Sequence, residues 1–244
     1  MTAWEEIERA RSQKLTDEDG NPVELGVAPP LSGDEIEAVA VRAGTALPDE
    51  LVDLLRHCGG LDGALEQVDF SGRTIDGFEF EGVFPHALSI AHDGYGNFWV
   101  LDLTPDVTRT APVYFVCHDA PVILYQSPDL AHFVRELIRM SIPPHKSAID
   151  DVHEDRPFDV WRKNPGAMTR VAAQESADPE LRAFASTLDE RFTIVDLRDP
   201  KVGMGLSWGR YGPKTIVRRH GELPVFAYAA PETRSLWARL TGKG

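Results

Sequence analysis

Two His-Asp pairs, His92-Asp93 and His118-Asp119, are the residues of this sequence best suited to chemistry. Two imidazoles and two carboxylates brought to one point could bind zinc or shuttle a proton. Both pairs fall among turn residues, where an aspartate ordinarily accepts hydrogen bonds from nearby backbone N–H groups. Turn chemistry is the expectation, so no metal ligand, catalytic residue or cofactor is assigned. No nucleophile motif accompanies the pairs. There is no G-x-S-x-G around Ser89 or Ser127, and Cys117 and His118, as strand neighbours, face opposite sides. Cys58 and Cys117 lie in apolar runs outside any CxxC and read as buried thiols. Carboxylates are too numerous for any one pair to stand out as glycosidase machinery. Gly203-Met204-Gly205-Leu206-Ser207-Trp208-Gly209 imitates a phosphate loop, but its third glycine comes one place late and no Lys-Ser/Thr follows. A glycine-rich hairpin or bulge is the simpler reading.

Charge says more than these motifs. The net charge of the 244-residue chain is −14, and it is unevenly spread. Residues 1–143 carry 9 Lys+Arg against 25 Asp+Glu, whereas residues 144–244 carry 16 against 14. Between Asp62 and Asp106 there are nine acidic residues and one basic residue, Arg73. Such a field repels nucleic acid and anionic membranes and attracts basic partners. The opposite chemistry gathers in Trp208, Arg210, Tyr211, Lys214, Arg218 and Arg219. This basic-aromatic set suits docking on the acidic part or a homodimer contact through the C-terminal extension, and nucleic acid is the less favoured partner. No apolar run reaches the ~18–20 residues of a membrane span, and Met1–Gln13 lacks the apolar stretch of a signal peptide. A cytoplasmic location is expected.

The elements that must position these residues are legible in places. A short helix over 2–14 would turn Trp4, Ile7 and Ala10 to one side. Ser32 and Glu35 form a capping box for a helix ending at Gly44. Pro48 opens a second helix with the stripe Leu51, Val52, Leu54, Leu55, stopped by Gly59-Gly60. Strands are expected at Phe78–Phe80, Phe98–Leu103, Val113–Cys117 and Val122–Tyr125, with His118–Pro121 as a hairpin link. Ser127 and Pro128 should start an amphipathic helix carrying Leu130, Phe133, Val134, Leu137 and Ile138. Residues 144–166 are polar and proline-punctuated, as in a linker or wrapping segment. Beyond them a helix from Asp178, a strand at Phe192–Leu197, strands at 214–219 and 223–229, and a helix at 232–241 complete a second α+β unit.

From Leu31 to about Met140 the sequence resembles the SUKH superfamily, whose yeast members are known as cell-wall assembly regulators. The likeness rests on LPDELVDLLRHCGG at 47–60, IAHDGYGNFWVLDL at 90–103, PVYFVCHD at 112–119 and SPDLAHFVRELI at 127–138, in that order. The resemblance implies an α+β fold with a twisted antiparallel sheet flanked by helices. It also implies a non-enzymatic role, since many bacterial members neutralise toxins, often nucleases, delivered between competing cells.

The expected organisation is an N-terminal helix and arm (1–30), a SUKH-like domain (31–143) and an α+β extension (144–244). The expected function is capture of a basic protein, such as a toxin or nuclease domain, by an acidic face. That face comprises Asp62, Asp69, Asp76, Phe78, Glu79, Glu81, Asp93, Tyr95 and Asp119. A regulatory or scaffold protein of cell growth or envelope assembly is the alternative, and an enzyme using the His–Asp pairs is a more distant one.

Overall fold

A computed structural model describes residues 1–63, 67–73, 80, 82–104 and 110–231. Asp76, Phe78, Glu79, Glu81 and the helix expected at 232–241 lie outside the described residues.

The elements in chain order begin with α1 (Ala3–Arg11), β1 (Leu15–Thr16), β2 (Pro22–Val23) and β3 (Gly26–Val27). They continue with α2 (Gly33–Ala43), α3 (Asp49–His57), β4 (Gly60–Asp62), β5 (Gln67–Asp69), β6 (Ala87–His92), β7 (Phe98–Asp102), β8 (Val113–Cys117), β9 (Val122–Ser127) and α4 (Leu130–Arg139). Then come a short α5 (Ala148–Asp150), a π-helical turn (Asp151–Asp155), α6 (Arg156–Lys163), β10 (Ala167–Thr169), α7 (Arg170–Gln174) and α8 (Pro179–Ser186). The described chain closes with β11 (Thr193–Asp196), β12 (Gly205–Leu206), β13 (Ile216–His220) and β14 (Leu223–Ala229).

Local chemistry explains several boundaries. The Ser32 side chain accepts the Glu35 N–H while Glu35 reaches back to the Ser32 N–H, and Gly44 closes α2 in a left-handed conformation at φ 67°. Two boundaries differ from the sequence expectation. Ser127 is the last residue of β9, paired with Val113, and Asp129 caps α4 by accepting the His132 N–H at 2.7 Å. The strand ladder claims Ser127, so the next side chain able to cap does so. The helix expected to stop at Gly59-Gly60 ends at His57, and Gly60 opens β4. A Cβ on Gly60 would come within 2.2 Å of the Val68 carbonyl oxygen, so this glycine serves close strand approach.

Apart from the small β1-β2 pair, the strands form two stacked sheets. The larger is antiparallel throughout, in the order β12-β9-β8-β7-β6-β5-β4-β3. The smaller has the order β10-β11-β14-β13. Central strands of the large sheet are apolar on both faces because both faces are covered. Trp99, Leu101, Val113, Phe115, Val122 and Leu124 pack with α1–α4. The alternate residues Val100, Tyr114, Val116, Ile123 and Tyr125 pack against Val195, Phe226 and Tyr228 of the small sheet. The far face of the small sheet carries Ile194, Val225 and Ala227, covered by Ala173, Leu181 and Phe184 of α7 and α8. Four layers result: helices, large sheet, small sheet, helices.

Residues beyond 143 contribute to all four of these layers, and they supply the small sheet and its outer helices entirely. Residues 148–163 are helical and lay Ile149, Val152 and Val160 into the helical-side core. The glycine-rich run supplies β12, the large sheet's edge strand beside β9. Gly205 is required there, since a Cβ would fall 1.9 Å from the Ile123 carbonyl oxygen. Asp102 of β7 and Arg219 of β13 form an ion pair between the sheets at 2.9 Å, both side chains buried. Arg219 also donates to the carbonyls of Val83, Leu223 and Glu222, so the cation is held from several directions.

Candidate functional site

Antiparallel register gathers two turns and the ends of two further strands at one end of the large sheet. Gln67 pairs with His92, Phe98 with Val116, and Cys117 with Val122. The β6–β7 and β8–β9 turns and the adjoining ends of β4 and β5 therefore share that end, which carries Asp62, Asp93, Tyr95 and Asp119. Asp62, Tyr95 and Asp119 are exposed, Tyr95 at 79%. Glu24, whose carbonyl borders Gly63, adds another exposed carboxylate at the same end.

Asp93 and Asp69 are at the same sheet but spend their carboxylates locally. Asp69 is nearly buried and accepts from the Ser71 N–H, the Ser71 hydroxyl and the Arg73 N–H. Asp93 builds the β6–β7 turn. Its Oδ1 accepts the N–H groups of Tyr95 (2.8 Å) and Asn97 (3.2 Å), and its Oδ2 accepts from the Asn97 amide and from His153 Nε2 (2.9 Å). Burial works to raise this carboxyl's pKa, but the hydrogen bonds from Asn97, His153 and the turn backbone outweigh it and hold it below the usual value.

The two His–Asp pairs meet only through Asn97. Its Oδ1 accepts the His118 N–H at 3.0 Å and lies 3.2 Å from His118 Nδ1, while its Nδ2 reaches Asp93. His92 turns away: its Nδ1 accepts the Gly94 N–H and its Nε2 lies 2.9 Å from Gln67 Oε1. His118 Nε2 pairs with Asp119 at 3.2 Å at the surface. Among the described residues no group of three or more His, Cys, Asp or Glu is placed to hold a metal ion. Both cysteines are free and buried, and burial pushes the Cys58 thiol up to about 11 and the Cys117 thiol upward as well. Neither is a ready thiolate nucleophile.

His153 is the residue of this site that sequence reasoning missed. It sits in the π-helical turn, 60 residues from Asp93, with its ring 5.8 Å from Trp99 and 5.3 Å from Phe115. No local pattern links it to the β6–β7 turn, although π-helical turns often mark sites under functional constraint. Asp151 and Glu154, its exposed neighbours, bring further negative charge to this region. Asp150 feels that charge: burial, Glu154, Glu18 and Asp151 all push its carboxyl up.

The basic-aromatic residues are mostly docked within the chain. Trp208 donates its Nε1–H to the Cys117 carbonyl and meets the Phe80 ring edge-on at 4.8 Å. Arg210 donates to the carbonyls of Trp161 and Arg162 at the end of α6. Arg218 lies over the Phe192 ring at 5.0 Å, and Arg219 holds Asp102. Tyr211 is exposed at 44%.

Fold and site together define an α+β domain whose exposed chemistry sits on the turns of a large antiparallel sheet. Residues 30–136 match the sequence model of the SMI1 / KNR4 family (SUKH-1), which supports the likeness of this segment to the SUKH superfamily. The α+β fold implied by the sequence resemblance is the fold observed. No curated protein and no solved structure matches the chain. The family assignment supports a protein-interaction domain in general terms. No helix among the described residues is long and apolar enough to cross a membrane.

Proposed function

We propose that the protein is a cytoplasmic, immunity-type binding module that captures a basic partner, such as a toxin or nuclease domain, on the turn end of its large sheet. The observation that carries this reading is the antiparallel register, which brings exposed Asp62, Tyr95 and Asp119 to one end of the sheet. Tyr95 has the character of an interface anchor: a large, amphipathic side chain with few rotatable bonds, ringed by charge. The carboxylates would chiefly set the association rate and the choice of partner.

The test is stopped-flow association with purified basic toxin nuclease domains, using lysozyme as a non-specific basic control. Asp62→Lys with Asp119→Lys is expected to slow association at low salt by tenfold or more, and Tyr95→Ala to speed dissociation. Exposed turn substitutions of this kind change folding stability by no more than about 0.5 kcal/mol, so a binding loss would not reflect unfolding. Unchanged rates with a toxin domain that does bind would reduce the acidic end to a solubility feature.

A further inference from the structure

We propose that two copies of this chain associate through the turn end of the large sheet, about a two-fold axis, acidic half facing basic-aromatic half. The end surface is polarised along the strand order. At the β3–β4 side stand Glu24 and Asp62, both exposed. Tyr95, at the β6–β7 turn, lies near the middle and is exposed at 79%. At the β12 side the balance reverses, with exposed Arg162, Lys163 and Arg210 outnumbering Asp119 and the Asp159 that pairs with Lys163.

That reversal comes from the extension. The Gly209 N–H donates to the Pro121 carbonyl, which places Arg210 beside the β8–β9 turn. Ser207 bonds the Val160 carbonyl, and Arg210 bonds those of Trp161 and Arg162, so the C-terminus of α6 reaches the same end. Arg162 and Lys163 are exposed there. Phe158 (45% exposed) and Trp161 (36%) stand one turn apart as an edge-on pair, with Arg162 over the Phe158 ring. Exposed Trp, Phe and Arg in one cluster are the side chains that dominate protein interfaces.

From β12 to β4 there are six strand spacings, or about 29 Å at ~4.8 Å each. A partner filling this surface must itself carry both signs in reverse order across that distance. The surface is its own complement under a two-fold rotation, which would place Tyr95 of each copy near the axis and Asp62 of each against the α6 terminus of the other. Strong overall negative charge disfavours nucleic acid as the occupant. The second copy and the basic partner proposed above would compete for Asp62 and Tyr95. The dimer is tested with the protein alone, so either idea can fail without the other.

The experiment is sedimentation equilibrium on the full chain, from about 1 µM to a few hundred µM, with circular dichroism as the folding control. Wild type should dimerise, and Trp161→Ala should weaken the dimer about thirtyfold, the loss expected on truncating an interface anchor. An acid-half variant (Glu24→Lys, Asp62→Lys) and a basic-half variant (Arg162→Glu, Lys163→Glu) should each be monomeric. Their equimolar mixture should restore a heterodimer, because both contacts then pair opposite charges. A wild-type chain that stays monomeric overturns the proposal and leaves the aromatic patch to a different kind of partner. A dimer indifferent to all these variants, or folded variants that fail to pair when mixed, overturns it too.

Discussion

The large sheet has one face covered by helices and the other by a second sheet, and the two faces are built by different parts of the chain. The helical face draws mainly on α1–α4, whose sequence signals are strong: a capping box, a glycine stop and an i, i+3, i+4 apolar stripe. The opposite face depends on β11 and β14, more than 60 residues beyond the strands they cover. The family match ends at residue 136, before any of that covering. The SUKH-like segment thus supplies the exposed turns and most of the helical-side core, which α1 and residues 148–163 complete, while the extension closes the second core and clamps one of the turns.

The sharpest way to break this comparison is to remove the extension. A chain ending at residue 143 would expose Val100, Tyr114, Val116, Ile123 and Tyr125 across one sheet face. At ~1.5–3 kcal/mol for each large apolar side chain returned to water, the loss is as large as the net stability of a typical domain, about 5–15 kcal/mol. The expected outcome is insoluble protein, or a soluble species that binds ANS strongly. A truncated chain with a cooperative melt and native near-ultraviolet dichroism would show the SUKH segment to be self-sufficient, and the division at 143 would then be a true domain boundary.

A smaller effect is expected at the pair joining the sheets. Arg219→Met should cost about 3–5 kcal/mol by chemical denaturation, because it strands the Asp102 carboxylate without its cation. Burial pushes the Asp102 carboxyl up, against the opposing pull of Arg219, and without Arg219 it rises further. A carboxyl whose pKa is raised by folding favours the folded state at low pH and loses that contribution as pH rises. The deficit of the variant should therefore be smaller at pH 5 than at pH 8. Arg219→Met combined with Asp102→Asn should recover much of the loss; a double variant as weak as the single one would mean that Arg219 acts through its carbonyl contacts instead.

The smallest expected effect is at the clamp. His153→Ala removes one hydrogen bond to Asp93 and the ring packed on Trp99, worth about 1–2 kcal/mol at this partly exposed position. Hydrogen exchange should accelerate at the amides of Tyr95 and Asn97 more than in β7. Because folding lowers the Asp93 pKa, its contribution is present above the ordinary aspartate value and fades as pH falls through the lowered one. The wild-type advantage over Asp93→Asn should shrink in the same window. Uniform exchange throughout the sheet would deny the clamp any local role.

How much of this was legible depended on sequence distance. Asp93, Gly94, Gly96 and Asn97 announce a turn, and the carboxylate of Asp93 closes that turn on N–H groups two and four residues away. The partner that completes it, His153, lies in a polar run that reads as a linker or wrapping segment. Charge counting by stretches was similarly incomplete. It marked residues 62–106 as acidic, yet Asp69 and Asp93 spend their carboxylates on local turns and Asp102 is buried on Arg219. Meanwhile the nearly neutral extension brings His153 to Asp93 and carries exposed Asp151 and Glu154 close to it in the chain.

The sequence by itself determined the capping box and glycine stop of α2, the amphipathic α4, the β8–β9 hairpin, the SUKH likeness and the overall sign of the field. Each of these rests on neighbours a few residues apart, where side-chain period and backbone preference dominate. Only the tertiary structure decided which acids remain exposed, that Gly205 begins an edge strand, and that the extension covers the second sheet face. Those outcomes depend on antiparallel register and on desolvation between segments far apart in the chain, and neither leaves a local signature.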